Sequence, residues 1–350
     1  MKKLSVHLVT WNGAKYVPYL FASLKKQTYT DWKLYIWDND SKDGMAEAME
    51  EELKDVSFEY ELIKHTDNIG FAGGHNALYK QTESKYFLPL NQDMYLTPDC
   101  FEQMVAWMDE HEDVAVISPR LMRWDFQKML AGNDRAAFTG QIDALGLKVF
   151  RNRRMIEQYT QYQWADIQKQ FLSESIPVFG VSGAFPLYRR TAIDDIAFDD
   201  GTFFDESYHS YKEDVDLAYR LRSAGHESYV LLDVVAYHDR SGAGPKKLND
   251  VSALKNKKEH SSWVKYHSYK NHLMTLYKNE YWQNTWLDFP WIKWYELKKF
   301  FYFLLFDRTV LKGLGEFIRL YSELRKKKIL IKQKRRVSYK ELRKWWGKNN

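Results

Sequence analysis

Carboxylates that directly follow apolar, strand-like runs are the residues of this sequence best suited to chemistry. In the stretch YFLPLNQDMYL, residues 86–96, an apolar segment runs straight into Asn91, Gln92 and Asp93. A buried strand that ends in a carboxylate is typical of an active-site rim, where Asp93 could hold a metal or a substrate. A surface turn explains the same pattern, since Asp is common in turns. With only amides beside it, Asp93 alone would be a poor metal site.

A second acidic cluster, Glu213-Asp214-Val215-Asp216, opens a helical pattern. The helix dipole favours acidic residues in a first turn, which accounts for at least one of them without any function. Asp214 and Asp216 lie about 200° apart around a helix, so they cannot both face solvent on one side. If Val215 packs inward, Asp214 lies near the rim and could accept a proton from a substrate hydroxyl.

A histidine and a glycine-rich loop complete the set of candidate residues. His238 follows an apolar run and precedes a glycine-containing turn. A lone His is usually structural, but neutral imidazole at a strand end also binds divalent metals. Residues 70–74, Gly-Phe-Ala-Gly-Gly, precede a helix expected from about 75 to 81, where the backbone could approach an anionic ligand closely. This loop is neither G-x-G-x-x-G nor the Gly-Lys-Ser/Thr loop of phosphate-binding NTPases, so as a generic motif it is weak.

The elements that must position these residues follow an alternating pattern over the first 120 residues. Expected strands cover residues 4–10, 34–37, 58–63, 87–90 and 114–117. Expected helices cover residues 15–27, 45–53, 75–81 and 101–110. Such alternation predicts an α/β fold with a doubly wound, mainly parallel sheet. Ligands of these sheets bind at the carboxyl ends of the strands, where three polar clusters occur: Thr10-Trp11-Asn12, Asp38-Asn39-Asp40 and Asn91-Gln92-Asp93.

The second part of the chain is less regular up to residue 180. We expect residues 120–180 to form an excursion from the sheet that covers the site. Regular elements then resume, with a helix at 213–223 closed by Gly225 and strands at 229–232 and 234–237.

Composition narrows the class of protein. The chain has 350 residues, 45% of them apolar, and a single cysteine, Cys100, which excludes an intramolecular disulfide and a thiolate zinc site. No apolar signal core follows the N-terminus. The longest apolar run, residues 300–306, has seven residues, whereas a membrane-spanning helix needs about 20. We therefore expect a cytoplasmic protein without a transmembrane helix.

Charge divides the chain into two parts. Residues 241–350 hold 26 Lys and Arg against 9 Asp and Glu, a net charge of +17, whereas the first 240 residues carry −12. We predict a boundary near residue 245. The body then covers residues 1–245.

The C-terminal extension, 246–350, interleaves aromatic and basic residues in helical patterns. This pattern suits helices that lie in a membrane interface beside anionic lipid. A packing extension or an oligomer interface with a solvated basic face is the alternative. Nucleic-acid binding is disfavoured, since no recognition motif accompanies the charge.

Several motifs, taken together and in order, resemble a known enzyme family. They are VTWNG, DNDSKDG, NIGFAGGHNAL, LNQD, VSGAFPLYRR, FDESYHSYKEDVDLAYRLRSAGH and YHDRSGA. Over about residues 4–244 the chain resembles the inverting family 2 glycosyltransferases, and within them the rhamnosyltransferase-like group that uses dTDP-L-rhamnose. The resemblance implies a GT-A fold in which the body divides into a nucleotide-sugar-binding part, about 1–120, and an acceptor and catalytic part, about 121–245. It also implies a Mg²⁺ or Mn²⁺ ion, a nucleotide-sugar donor and a glycan acceptor.

The resemblance also implies roles for individual residues. Asp214 would be the general base, Asp93 the metal ligand, and His238 a second metal or diphosphate contact. The remaining residues would bind the donor: Thr10, Asn12, Asp38 and Asn39 near the nucleoside, Gly70, Gly73 and Asn91 along the strand ends, and Ser182 and Gly183 with Ala184 at the sugar.

This sequence departs from the family pattern at two positions of LNQD. Gln92 stands where the group commonly has proline, and Asn91 where many members have an acid, so one carboxylate remains. A single Asp with an imidazole suffices if the donor phosphates supply further oxygens. We therefore expect Asp93 to bind metal well only with the donor present.

The function expected from the sequence is transfer of a deoxysugar, L-rhamnose from dTDP-L-rhamnose, onto a lipid-linked or surface polysaccharide. The enzyme would be peripheral at the inner face of the cell membrane, and an oligomer is compatible with its sequence. Two alternatives remain open: a transferase of the same fold with a UDP-sugar donor, and a non-catalytic nucleotide-sugar-binding or scaffold subunit. A sugar-phosphate nucleotidyltransferase is disfavoured, because Thr10-Trp11-Asn12-Gly13 replaces the basic, glycine-rich loop expected after its first strand.

Overall fold

The computed structural model describes residues 2–240 and 261–347, and the domain boundary predicted near residue 245 lies outside these ranges. The strands are β1 Leu4–Thr10, β2 Trp32–Asn39, β3 Glu59–His65, β4 Tyr86–Leu90, β5 Met94–Leu96, β6 Val114–Trp124, β7 Phe138–Ala144, β8 Leu147–Phe150, β9 Met155–Glu157, β10 Ser175–Pro177, β11 Leu187–Arg189, β12 Glu227–His238 and β13 Trp346–Gly347.

The α-helices of the described residues are α1 Val17–Leu24, α2 Met45–Leu53, α3 Gly70–Gln81, α4 Cys100–Glu110, α5 Phe126–Leu130, α6 Asp134–Ala137, α7 Trp164–Ile167, α8 Arg190–Ile196, α9 Glu213–Ser223, α10 Ser262–Asn279, α11 Trp282–Leu287, α12 Phe289–Phe306, α13 Lys312–Arg319, α14 Tyr321–Gln333 and α15 Tyr339–Arg343. Short 3₁₀ segments cover Ala14–Tyr16, Gln168–Gln170, Glu206–Tyr208 and Arg308–Leu311.

One large sheet organises the N-terminal part in the order β10-β12-β6-β11-β4-β1-β2-β3. The strands β4, β1, β2 and β3 are parallel, as are β6 and β12, whereas β11 is antiparallel to both β4 and β6. The shorter β5 and β7 extend it antiparallel to β12 and β6. This arrangement, with a helical C-terminal region, confirms the predicted α/β class.

Helices cover both faces of the sheet because alternate strand residues enter two different cores. Leu88 and Leu90 of β4 pack with residues of α1, α2 and α4. Phe87, between them, packs with residues of α3, α8 and α9 on the other face. A strand buried on both faces explains the continuous apolar run Tyr86–Leu90 in the sequence.

Three predicted boundaries are corrected. Helix α3 begins at Gly70 and not near residue 75, so the glycine-rich segment is its first turn. Residues 120–180 are not simply irregular, because β6 continues to Trp124 and β7–β10 follow. The two strands expected at 229–237 are one strand, β12, whose register against β6 shifts between Leu231 and Val235. That irregularity exposes Asp233 and makes the sequence look interrupted.

The C-terminal helices pack onto the N-terminal part through buried polar contacts. Lys278 of α10 pairs with Asp205 and with Asp216, whose carboxylate lies 3.0 Å from the Lys278 ammonium, and all three side chains are buried. Near the C-terminus, β13 pairs with β8 in a separate three-stranded sheet. Tertiary contacts therefore join the described ranges 2–240 and 261–347.

Candidate active site

The ends of β1 and β2 form a hydrogen-bonded corner. Thr10 and Asp38 are paired in register, and the Thr10 hydroxyl donates to Asp38 Oδ1 at 2.9 Å. Ser41 donates to the same oxygen at 2.6 Å and, through its N–H, to Oδ2 at 3.2 Å. The Asn12 N–H donates to Ser41 Oγ, and Asn12 Oδ1 accepts from the Lys42 N–H. Thr10, Asn12 and Asp38 thus belong to one corner.

Asn39 joins this corner to the glycine-rich first turn of α3. Its Oδ1 accepts from the Trp37 indole N–H and the Ile69 N–H, while its Nδ2 donates to Gly70 O at 3.2 Å. Gly70 has a φ of +80°, and a Cβ there would lie 2.6 Å from the carbonyl oxygen of His209. Gly73 lies inside the helix against Ile69. The local geometry accounts for these glycines by packing, and their contact with a donor stays a prediction.

The amides of LNQD connect neighbouring loops. Gln92 holds the backbone of Trp11 from both sides: its Oε1 accepts from the Trp11 N–H at 3.0 Å, and its Nε2 donates to Trp11 O at 3.1 Å. The Asn91 N–H donates to Ala184 O at 3.0 Å. Gln92, the departure from the family pattern, therefore ties the end of β4 to the end of β1.

Asp93 and His238 meet, although 145 positions separate them in the sequence. Asp93 Oδ1 lies 3.3 Å from His238 Nε2, and His238 Nδ1 lies 2.9 Å from Oδ2 of the fully buried Asp143. Burial by itself lowers the pKa of His238, but the carboxylates of Asp93 and Asp143 outweigh it and raise the pKa to about 10. In this arrangement His238 is a cation between two anions.

The same pair offers two ligand atoms to a divalent cation. Ligand oxygens of an octahedral Mg²⁺ site lie about 3 Å apart, close to the 3.3 Å between Asp93 Oδ1 and His238 Nε2. Asp143 at Nδ1 supplies the outer carboxylate that orients a metal-binding imidazole. Among residues 2–240 and 261–347, no group of three or more His, Cys, Asp or Glu side chains could hold a metal. A cation bound by Asp93 and His238 would take its other ligands from phosphate and water.

The segment Ser182-Gly183-Ala184 connects this side of the site to Asp214. The Gly183 N–H donates to Asp214 Oδ2 at 3.2 Å, and the neighbouring Ala184 carbonyl accepts from Asn91. A Cβ on Gly183 would lie 3.3 Å from the Cβ of Asp214. Asp214 Oδ1 accepts from the Val215 N–H at 2.7 Å. Two backbone donors thus orient a half-buried carboxylate.

The three acidic residues in the first turn of α9 differ in their electrostatic environment. Burial raises the pKa of Asp214, and the nearby Lys212 opposes that rise. Burial together with the charge of Asp214 raises the pKa of Glu213 to about 8, and Glu213 Oε2 is buried without a hydrogen-bond partner in the described part of the chain. Asp216 is fully buried and bonded to Arg220 and Lys278. Of the three, Asp214 is the one that combines partial exposure with a raised pKa.

Sequence reasoning missed three charged residues around the site. Asp143 orients His238, while Glu157 accepts from the Ser182 hydroxyl at 3.0 Å and pairs with Arg240. Asp143 and Glu157 lie in the region interpreted as irregular. No local pattern could have identified them, because their partners are distant in the chain; only the alternation within QIDA, residues 141–144, indicated a strand there.

A family model described as glycosyl transferase family 2 matches residues 5–197, more than half of the chain. The poly(ribitol-phosphate) beta-N-acetylglucosaminyltransferase TarS of Staphylococcus aureus (strain Mu50 / ATCC 700699) is 28% identical over 120 residues. That match covers 33% of this chain and 21% of the relative. The chain thus matches only about a fifth of this relative's length.

Solved structures share the fold. GalNAc-T7 with UDP, GalNAc and Mn²⁺ has a TM-score of 0.57 and 12% identity, over 79% of this chain and 48% of its own. The mannosyltransferase PcManGT from Pyrobaculum calidifontis, in complex with GDP-Man and Mn²⁺, has a TM-score of 0.50 and 13% identity. That match covers 95% of this chain and 86% of the other. At such identities the likeness shows the fold alone.

Proposed function

The chain belongs to glycosyl transferase family 2, and from that premise we propose that it is an inverting transferase that moves a sugar from a nucleotide donor to a glycan. One observation carries the proposal. The half-buried Asp214 carboxylate is oriented by the N–H groups of Gly183 and Val215, on a different element from the Asp93–His238 pair. Inversion requires that separation, because the acceptor and the leaving group lie on opposite faces of the sugar.

Asp214 is the proposed general base. The Gly183 and Val215 hydrogen bonds hold it in one orientation, and each carboxylate oxygen keeps a lone pair for an acceptor hydroxyl. Its raised pKa makes it a stronger base than an exposed Asp. It takes the hydroxyl proton while that oxygen bonds to the anomeric carbon and the bond to the nucleoside diphosphate breaks.

The ends of β1, β2 and β4 are the proposed donor site. Thr10, Asn12 and Asp38 would contact the nucleoside, together with Asn39, Gly70 and Gly73 from the adjoining turn. Asn91 and the segment Ser182–Gly183 would contact the sugar and its diphosphate. These assignments rest on the resemblance and on the shared corner of the sheet.

Asp93 and His238 are the proposed ligands of Mg²⁺ or Mn²⁺. A bound cation would neutralise charge on the departing diphosphate. Metal binding at His238 Nε2 requires the proton to leave, because only the neutral ring has a lone pair. In that state the proton on His238 Nδ1 remains and is donated to Asp143, which keeps Nε2 of the ring oriented toward Asp93.

The first donor that we propose is dTDP-L-rhamnose, and the second is a UDP-sugar. The ordered motifs of the chain favour the rhamnosyltransferase-like group. The relative TarS, named as a poly(ribitol-phosphate) beta-N-acetylglucosaminyltransferase, favours a polymer acceptor. A lipid-linked or surface glycan is the proposed acceptor in both cases. A non-catalytic, nucleotide-sugar-binding subunit is the alternative of another class.

Asp214→Asn tests the proposal. A panel of sugar nucleotides with Mg²⁺ or Mn²⁺ first identifies the donor by nucleoside diphosphate release. We expect Asp214→Asn to lower kcat about 10²–10⁴-fold and to leave donor affinity, measured by calorimetry, within about twofold, since it removes a base but no donor contact. Asp55→Asn, on a fully exposed side chain, is the control. Unchanged turnover in Asp214→Asn would exclude this mechanism, and donor binding without turnover in the native chain would favour the non-catalytic subunit.

A further inference from the structure

Helix α12 exposes a row of apolar residues while it buries a charged pair. Its buried face carries Phe303 together with Lys299 and Glu296, which pair with each other and, through Glu296 at 2.7 Å, with His272 of α10. Its outer face carries Trp294, Leu297, Phe301 and Leu305, spaced at three and four residues and therefore on one side of the helix. A helix at a protein surface normally directs apolar residues inward and charged residues outward.

This apolar stripe, Trp294, Leu297, Phe301 and Leu305, is strongly exposed. Trp294 is 65% exposed and Leu305 is 70% exposed. Helix α11 continues the surface with Trp282 and Trp286, which are 68% and 71% exposed. Contiguous exposed apolar surface of this kind marks an interaction site in proteins that are otherwise polar outside.

Basic residues surround the stripe. Lys293 precedes Trp294 on the exposed side, and Arg308 and Lys312 follow the end of α12, all three exposed. Over residues 289–330 the chain has ten Lys and Arg against four Asp and Glu. A second copy of this chain would bring the same positive charge to the stripe and repel it, whereas an anionic lipid surface has the opposite charge.

The length and composition of the helix match a position in the plane of a bilayer. None of the described helices is long and apolar enough to cross a membrane. Tryptophan is favoured at the boundary between acyl chains and headgroups, where its ring is apolar and its N–H is hydrated. A single apolar face flanked by Lys and Arg is the pattern of an interfacial helix.

We propose that α11 and α12 dock this protein onto an anionic lipid surface through the apolar stripe. This inference goes beyond the proposed function and does not depend on the donor or the acceptor. Since the inner face of α12 packs on α10, which also holds the loop before Asp214, docking would place the candidate active site at a fixed position relative to the bilayer. A lipid-anchored acceptor would be presented at that surface.

The test is co-sedimentation of the full chain with vesicles of phosphatidylcholine alone or mixed with phosphatidylglycerol. We expect the native chain to bind the mixed vesicles. The stripe variant should bind them at least tenfold more weakly; it combines Trp294→Gln, Leu297→Gln, Phe301→Gln and Leu305→Gln. Lys293→Glu with Lys312→Glu should remove the preference for anionic vesicles. Leu130→Gln with Leu172→Gln, on exposed leucines of the N-terminal part, is the matched control and should bind like the native chain.

Two outcomes would overturn the proposal. The first is equal binding by the native chain and the stripe variant. The second is that the native chain binds no vesicles but is a dimer by light scattering, whereas the stripe variant is a monomer. The stripe would then contact a second copy of the chain. Because binding is measured without turnover, its failure leaves the proposed transferase activity untouched.

Discussion

Glu213, Asp214 and Asp216 occupy one turn of α9 but three different environments. Asp216 is neutralised in a buried cluster with Arg220 and Lys278. Glu213 is buried beside another acid, and its pKa rises to about 8. Asp214 keeps access to the site and accepts two backbone hydrogen bonds. Burial and partners, more than residue type, therefore separate the proposed base from its neighbours.

Glu213 should make stability depend on pH. Its folded pKa of about 8 lies above the ordinary value of 4.5, so the folded state binds this proton more tightly than the unfolded chain does. The free energy of unfolding should therefore fall as pH rises from about 4.5 to about 8. Glu213→Gln lacks this proton equilibrium, and its stability relative to the native chain should improve by about 1–3 kcal/mol between pH 5 and pH 8.5.

Denaturant unfolding at the two pH values measures that difference. Glu112→Gln, on an exposed side chain, is the control and should follow the native pH dependence. Parallel pH profiles for the native chain and Glu213→Gln would show that Glu213 is ionised throughout.

Asp143 should tune the proposed metal site without touching the metal. Its carboxylate binds His238 Nδ1, so Asp143→Asn weakens the group that orients the ring and supports its basicity. We expect Mn²⁺ affinity, titrated by calorimetry with the donor nucleoside diphosphate present, to fall about 10–100-fold. Asp93→Asn should reduce it at least as much, and Asp55→Asn should not change it. Equal Mn²⁺ affinity in all three variants would contradict the assignment.

The element that presents Asp214 is held by the C-terminal part. His209, Tyr211 and Lys212, just before α9, all have positive φ, a conformation that costs non-glycine residues free energy. Asn271 of α10 offsets that cost, because its Nδ2 lies within 3.0 Å of the carbonyls of Tyr208, Ser210 and Tyr211. Helix α10 therefore stabilises a strained loop just before the turn that carries the proposed base.

Asn271→Ala should loosen this loop. One buried and two partly buried carbonyls lose a shared donor, so we expect a loss of about 1–3 kcal/mol in unfolding free energy and a lower kcat with nearly unchanged donor affinity. Ser268→Ala is the matched control: it lies on the same helix, half-buried, without a side-chain hydrogen bond among the described residues. Full kcat in a destabilised Asn271→Ala would show that α10 supports only the fold.

At the scale of the whole molecule, buried ion pairs join the acidic N-terminal part to the basic C-terminal part. Asp205 pairs with Lys278 of α10 and, at 2.7 Å, with Lys327 of α14. Burial alone raises the pKa of Asp205, but these two lysines lower it well below the ordinary value. The acidic N-terminal part and the basic C-terminal part are thus complementary in charge where they meet.

A chain ending at residue 260 should therefore not fold stably. It would leave Asp205 and Asp216 buried without Lys278, and loss of one partner of a buried pair typically costs about 3–5 kcal/mol. We expect no cooperative thermal transition by circular dichroism, whereas Lys278→Met in the full chain should keep the transition at a lower Tm. A truncated chain with native Tm would show that the first 260 residues fold independently.

Much of the α/β part could be predicted from the sequence, and the physical reasons are local. Helices α2 and α9 have the predicted bounds, because their apolar spacing and Gly225 after α9 mark them within a few residues. The true start of α3 could not be predicted, because three glycines in its first turns oppose helix formation and tertiary packing on His209 and Val9 overrides them. The strands within 120–180 were not predicted either: β7, β8 and β9 pair within this region, but β9 and β10 have only three residues each, too few for a clear alternating pattern.

By itself the sequence determined the alternation of strands and helices, the polar clusters at strand ends and the family. It also singled out Asp93, Asp214 and His238 as candidate site residues. These follow from periodicity and from residue types within short windows. Only the tertiary structure decided that Asp143 orients His238, that Asp216 is structural, and that α12 turns its apolar side outward. The reason is physical: burial, charge partners and exposed faces arise from contacts between distant segments, and a local pattern holds no record of them.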